Sequence, residues 1–181
     1  MSHKKKHDAN SPLGVGGKIL FLVRHAKSSW EDISQKDFDR PLNERGKNDA
    51  PAMAKRIRKD RELALDAIVS SPAKRALSTA KYFAKEFRLK KKHLLEIPAL
   101  YEPTIEAFYN TVINLDDDYN TVALFSHNPG ITAFTNQLTN VHVDDMPTCG
   151  VFAVRVLANE WKDFQHAEKE FLFFDYPKNI I

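Results

Sequence analysis

Arg24 and His25 stand side by side where the apolar run Leu20-Phe21-Leu22-Val23 ends. Two more cationic or imidazole groups recur in comparable settings. Arg75 lies shortly after Asp66-Ala67-Ile68-Val69-Ser70, and His127 directly follows Thr121-Val122-Ala123-Leu124-Phe125-Ser126. A guanidinium keeps its charge at any ordinary pH and binds phosphate oxygens in bidentate fashion. A neutral imidazole attacks phosphorus without a base to deprotonate it, and a second imidazole, protonated, can stabilise charge on the equatorial oxygens. Two arginines and two histidines therefore suit phosphoryl transfer through a phosphorylated histidine.

Each residue taken alone has a plainer reading. A strand ends in polar residues simply by reaching the surface, Arg75 could be an exposed helix residue, and His127 could be bonded to backbone. "His-Asn-Pro-Gly" at 127–130 by itself reads as a turn. The functional reading rests on the set, because ligands of open α/β sheets bind outside the carboxyl ends of the strands.

The elements that must position these groups are legible in outline. Lys18–Val23, Asp66–Ser70 and Thr121–Ser126 are near-continuous apolar runs, as expected of strands covered on both faces. Helical stretches lie between them. One includes Ala50–Ile57, where Pro51 marks a kink or a late start. Another opens at Ser71-Pro72, a serine cap followed by proline at the first helical position, which sets Arg75 in the first turn and a positive dipole end on the same rim. Thr104 caps a third, Ile105–Tyr109. Strands alternating with helices predict a three-layer α/β/α fold with a mostly parallel central sheet. Val151–Val156 and Glu170–Phe174, separated by a polar, turn-like stretch, predict an antiparallel pair at a sheet edge.

Composition narrows the function class. The 181 residues are 43% apolar and 28% charged, an ordinary globular composition for a single domain, expected at residues 18–181. Residues 1–17 read as a disordered basic leader carrying Lys4, Lys5 and Lys6. No apolar run approaches the roughly 18 residues of a membrane span, and the start lacks the apolar segment of a signal peptide, so no membrane partner is expected. A lone cysteine, Cys149, read as a small packing residue, fits a reducing cytoplasm. Net charge is +3, but the basic clusters lack interleaved aromatics, which argues against nucleic acid as a partner. No metal-ligand cluster stands out, and no cofactor is expected. His3, His7, His93, His142 and His166 read as structural or solvated.

Five stretches together, "LVRHAKSSW", "DFDRPLNERGKNDAPAMA", "SSPAKRALSTA", "LYEP" and "SHNPGI", resemble the histidine phosphatase superfamily of phosphoglycerate-mutase-like fold, and within it the short SixA-type phosphohistidine phosphatases. The resemblance runs from about Lys18 to Lys178. It implies that His25 is the nucleophile, that Arg24 and Arg75 clamp the phosphate, and that His127 is the second imidazole. The implied substrate is phosphohistidine on a protein, with a small phosphate ester as the alternative and a non-catalytic phosphate-binding module as a third reading. The usual Arg-His-Gly motif reads Arg-His-Ala here, so Ala26 takes a conventional backbone conformation or the loop shifts slightly. Many relatives carry a carboxylate that protonates a leaving alkoxide. The nearest candidate is Glu102, equally readable as a solvated loop residue. Arg40 either reaches the phosphate rim or pairs with Asp37 or Asp39. Ser28 either donates to phosphate or forms the turn after the catalytic loop.

Overall fold

A computed structural model describes residues 16–61 and 63–179. The leader expected at 1–17 lies outside them apart from Gly16 and Gly17. The described elements run β1 (Lys18–Arg24), α1 (Glu44–Arg61), β2 (Ala67–Ser70), α2 (Lys74–Glu86), β3 (Leu94–Glu96), α3 (Ile105–Ile113), β4 (Thr121–Ser126), α4 (Gly130–Thr135), β5 (Val151–Val156) and β6 (Lys169–Asp175). One six-stranded sheet has the order β3-β2-β4-β1-β5-β6. The first four neighbours are parallel, while β5 is antiparallel to both β1 and β6. The expected α/β class and the antiparallel C-terminal pair are present. The short edge strand β3 is an addition that its sequence, Leu94-Leu95-Glu96, did not announce.

Strand alternation builds two cores from one sheet. Phe21 and Val23 of β1 face a layer containing Met53, Ile57 and Phe83, so α1 and α2 cover that side. Leu20 and Leu22 face Phe108, Phe134 and Trp161, placing α3 and α4 on the other. Because both faces are covered, β1 and β4 are apolar between their end residues, as their sequences suggested. Trp161 and Phe164, fully buried in the connection from β5 to β6, make that stretch part of the core as well as a turn.

Two local expectations need correcting. Helix α1 begins at Glu44, so Pro51 sits inside it and marks no start. The Oδ1 of Asn43 accepts the Gly46 N–H at 2.9 Å, a cap that anchors the first turn. Ser71 does not cap α2. The helix begins at Lys74 after an extended Ala73 (φ −56°, ψ 135°), and Ser71 Oγ takes only the Ala73 N–H at 3.2 Å. Its hydroxyl is engaged elsewhere. Thr104 does cap α3, accepting the Ala107 N–H at 3.1 Å. No helix among the described residues is long and apolar enough to cross a membrane.

Candidate active site

Strands β1, β2 and β4 are adjacent and parallel, so the residues that follow them emerge on one rim. There they border a cleft of about 770 Å³. Arg24, His25, Ser28, Arg40, Arg75, Glu102 and His127, every residue singled out from the sequence, line it.

The loop after β1 is held from three sides. Ala26 donates its N–H to Thr79 Oγ1 of α2 at 3.0 Å, and the Cys149 N–H lies 3.1 Å from both the Arg24 and His25 carbonyls. Cys149 has a φ of 61°, in the left-handed region that non-glycine residues seldom occupy, and its buried thiol has its pKa pushed up by burial. The third support is α1. A Cβ on Gly46 would lie 2.2 Å from the Lys27 carbonyl oxygen, so only glycine lets the helix approach this closely. Ala26 is buried and has no positive φ, so its backbone is conventional, the first of the two alternatives the sequence left open.

His25 is 7% exposed and its tautomer is set by its neighbours. Nδ1 lies 2.8 Å from the Ala26 carbonyl, which can only accept, so Nδ1 carries the proton. Nε2 therefore presents a lone pair, and the Arg75 Nε–H donates to it at 3.2 Å. Burial holds the His25 pKa well below its usual value. The Ala26 carbonyl opposes this, while His127, Arg75 and Arg24 add to it. The ring is neutral, and Nε2 is its unprotonated nitrogen.

His127 packs beside it, ring centroids 5.0 Å apart. Its Nε2 is 2.7 Å from Ser71 Oγ, which is where that hydroxyl is engaged, and its buried Nδ1 has no partner. Burial first, then Arg75, Arg24 and Arg40, lower the His127 pKa to about 3 against the opposing pull of Asp37. The second imidazole, expected to be protonated, is thus held neutral by burial and the guanidiniums around it. Three nearby guanidiniums make a further positive charge unfavourable until an anion arrives.

The arginines differ in their commitments. Arg24 Nη1 donates to the Met146 carbonyl at 2.6 Å and to Asp145 at 3.4 Å, leaving its buried Nε without a partner. Asn128 braces the same loop by donating to Asp145 Oδ1 at 2.5 Å and to the Met146 carbonyl at 3.2 Å. Arg75, 5% exposed, spans His25 and Asp37. Arg40 makes the ion pair with Asp37, donating from Nε and Nη2 at 3.0 and 2.7 Å, and also lines the cleft. Ser28 Oγ accepts from Arg40 Nη1 at 2.9 Å, so its hydroxyl braces that guanidinium. Glu102 is exposed in the left-handed region (φ 48°) on the cleft wall.

Sequence reasoning saw Asp37 only as a partner for Arg40. In the structure it also accepts from Arg75 and from the Tyr101 hydroxyl, each at 2.9 Å. Burial would raise its pKa, but the hydrogen bonds from Arg40, Arg75 and Tyr101 outweigh that and hold the carboxylate ionised far below its usual range. Ser71 and Asp145 were likewise missed as site residues. Among the described residues no group of three or more His, Cys, Asp or Glu side chains is placed to hold a metal ion.

The strand ends of one α/β sheet thus present two arginines and two imidazoles to one cleft, groups suited to binding and transferring a phosphoryl group. Residues 20–102 match the profile of the histidine phosphatase superfamily (branch 1). An uncharacterized chloroplast protein of Arabidopsis thaliana is 29% identical over 163 residues, covering 86% of this chain and 74% of that one. Phosphoserine phosphatase 1 of Hydrogenobacter thermophilus is 37% identical over 83 residues, 43% of this chain and 38% of its own. Among solved structures, the protein histidine phosphatase SixA complexed with tungstate superposes with a TM-score of 0.75 at 18% identity, covering 89% of this chain and 98% of that one. A mycobacterial glucosyl-3-phosphoglycerate phosphatase gives a TM-score of 0.63 at 15% identity, covering 86% and 97%. At these identities the two structures share the fold.

Proposed function

We propose that residues 18–181 form one histidine-phosphatase domain that hydrolyses phosphohistidine on a protein through a phospho-His25 intermediate. The observation that carries this reading is the tautomer of His25: a neutral ring whose Nε2 lone pair lies beside an arginine on a cationic cleft. In the first step Nε2 attacks phosphorus, an Nε2–P bond forms, and the bond from phosphorus to the substrate imidazole breaks. The departing nitrogen takes a proton from solvent. The phosphorylated ring is cationic, and its Nδ1–H keeps the Ala26 carbonyl as partner. In the second step water attacks phosphorus, the Nε2–P bond breaks, the water protons leave with phosphate, and His25 returns neutral. Arg24 and Arg75 neutralise the transferring group, and Arg40, with Ser28 behind it, adds charge at the rim. Arg24 Nε and His127 Nδ1 are buried polar atoms without protein partners, suited to donate to phosphoryl oxygens.

A protein substrate is favoured by the rim. The loops after β1, β2 and β4 surround the cleft, with no helical insertion over it among the described residues. Trp30 (66% exposed), Ile33 (94%) and Phe38 (38%) lie on the segment between β1 and α1 that borders it, offering apolar surface to a folded partner. A small phosphate ester is the second reading, favoured by Glu102 on the cleft wall, because an alkoxide leaving group needs a proton donor where an imidazole does not. Turnover of a phosphohistidine protein and of a sugar phosphate, each by wild type and Glu102→Gln, separates the two. The preferred reading expects higher kcat/KM on the protein and a change under threefold for the variant, about 0.6 kcal/mol in barrier. Higher kcat/KM on the ester, with a Glu102→Gln loss of a hundredfold or more, overturns it in favour of the ester, an effect on the order of general acid catalysis.

A further inference from the structure

The cleft is built for an anion, yet it already contains one. The Asp37 carboxylate accepts four hydrogen bonds, two from Arg40 and one each from Arg75 and Tyr101. Its backbone carbonyl accepts a further bond from Arg75 Nη1 at 2.6 Å. Arg75 held this way aims Nε–H at the lone pair of His25 Nε2. That lone pair cannot attack phosphorus while it accepts a hydrogen bond. Two of the three guanidiniums at the cleft are thus committed to Asp37, and one of them covers the nucleophile.

We propose that Asp37 is the resident anion of the cleft, a positioning residue that latches Arg75 over His25 until an incoming phosphoryl dianion takes its place on Arg75 and Arg40. The proposal rests on the phosphatase reading of the cleft. The asymmetry of exposure says which partner gives way. The Asp37 side chain is 46% exposed, against 6% for Arg75 and 8% for Arg40. Asp37 also sits on a three-residue 3-10 turn, Asp37–Asp39, with no buried residue. Released, the carboxylate turns to water at small cost, while the buried guanidiniums stay and need an anion. A dianion with three oxygens satisfies both arginines better than a monoanion with two. The exchange draws the Arg75 Nε–H off Nε2 and frees the nucleophile only when a phosphoryl group is present. The same carboxylate, returning, competes with product phosphate for the arginines.

Calorimetric titration of tungstate into wild type and Asp37→Asn tests this, since a residue that merely braces the arginines and a residue that competes with the anion shift affinity in opposite directions. The latch predicts that the variant, which keeps the size and loses the charge, binds tungstate about tenfold more tightly. Equal or weaker binding by the folded variant overturns the latch. Tyr101→Phe is the second variant, because it removes one donor from Asp37 without touching an arginine. A loosened latch predicts roughly two- to threefold tighter tungstate binding, of the order of one modest hydrogen bond; no change or weaker binding counts against it. If no phosphate donor is turned over by wild type, the phosphatase reading fails, while the tungstate affinities still decide whether Asp37 competes for the clamp.

Discussion

Ser71 Oγ and His127 Nε2 lie 2.7 Å apart in a buried pair that joins the loop after β2 to the end of β4. With the Ala73 N–H already donating to that oxygen, the serine proton is free to point at Nε2. The ring proton then resides on Nδ1, the atom left unpartnered. Ser71 therefore sets which nitrogen of His127 can donate to phosphate. Ser71→Ala should lower kcat roughly ten- to a hundredfold, on the order of losing one oriented donor, with KM changed far less. Steady-state kinetics together with ring nitrogen NMR of His127 check it. A mixed tautomer is expected in the variant and a single one in wild type.

Gly46 offers a test of how the catalytic loop is supported. Glycine to alanine in a helix ordinarily stabilises by about 0.5–1 kcal/mol. Here the added methyl would meet the Lys27 carbonyl at 2.2 Å, and backbone has to move. Gly46→Ala should destabilise by about 1–3 kcal/mol in urea unfolding, the usual range for overpacking. Because Lys27 is two residues from His25, kcat should fall more than the loss of folded protein explains.

The two site histidines make stability depend on pH with a definite sign. Both are held neutral below their usual pKa of 6.5, so the unfolded chain binds their protons first. Stability from this source is complete above about pH 6.5 and is lost as pH falls below it, continuing for His127 down to about 3. Between pH 7.5 and 5.5 the pair accounts for at most about 2–3 kcal/mol. Asp37, whose pKa is depressed, stays ionised throughout that window and contributes no slope there. Urea unfolding at the two pH values should show this loss in wild type and about half of it in His127→Ala.

The arrangement that mattered most was legible because it is local in sequence. Each of β1, β2 and β4 is an apolar run that ends at or shortly before a chemically distinctive residue, and the parallel order of those strands follows from their alternation with helices. What escaped notice depends on distant parts of the chain meeting. Asp37 is read easily as a partner for Arg40 three residues on, but its bonds to Arg75 and Tyr101 span 38 and 64 residues. Ser71-Pro72 carries a strong helix-start signal, yet the serine is drawn to His127, 56 residues away, and the helix begins later. A propensity is a local preference, and a buried imidazole seeking a partner overrides it. Strand β3 has only three residues and exists because β2 offers it an edge.

The central claim is that His25 carries the phosphoryl group. Intact-protein mass after brief incubation with a phosphoramidate, quenched without acid, measures this directly for wild type and His25→Ala. The account predicts an acid-labile, phosphate-sized adduct on wild type that is absent from a folded His25→Ala protein. An adduct that persists in His25→Ala, or a wild type that gains no adduct and releases no phosphate, would contradict it.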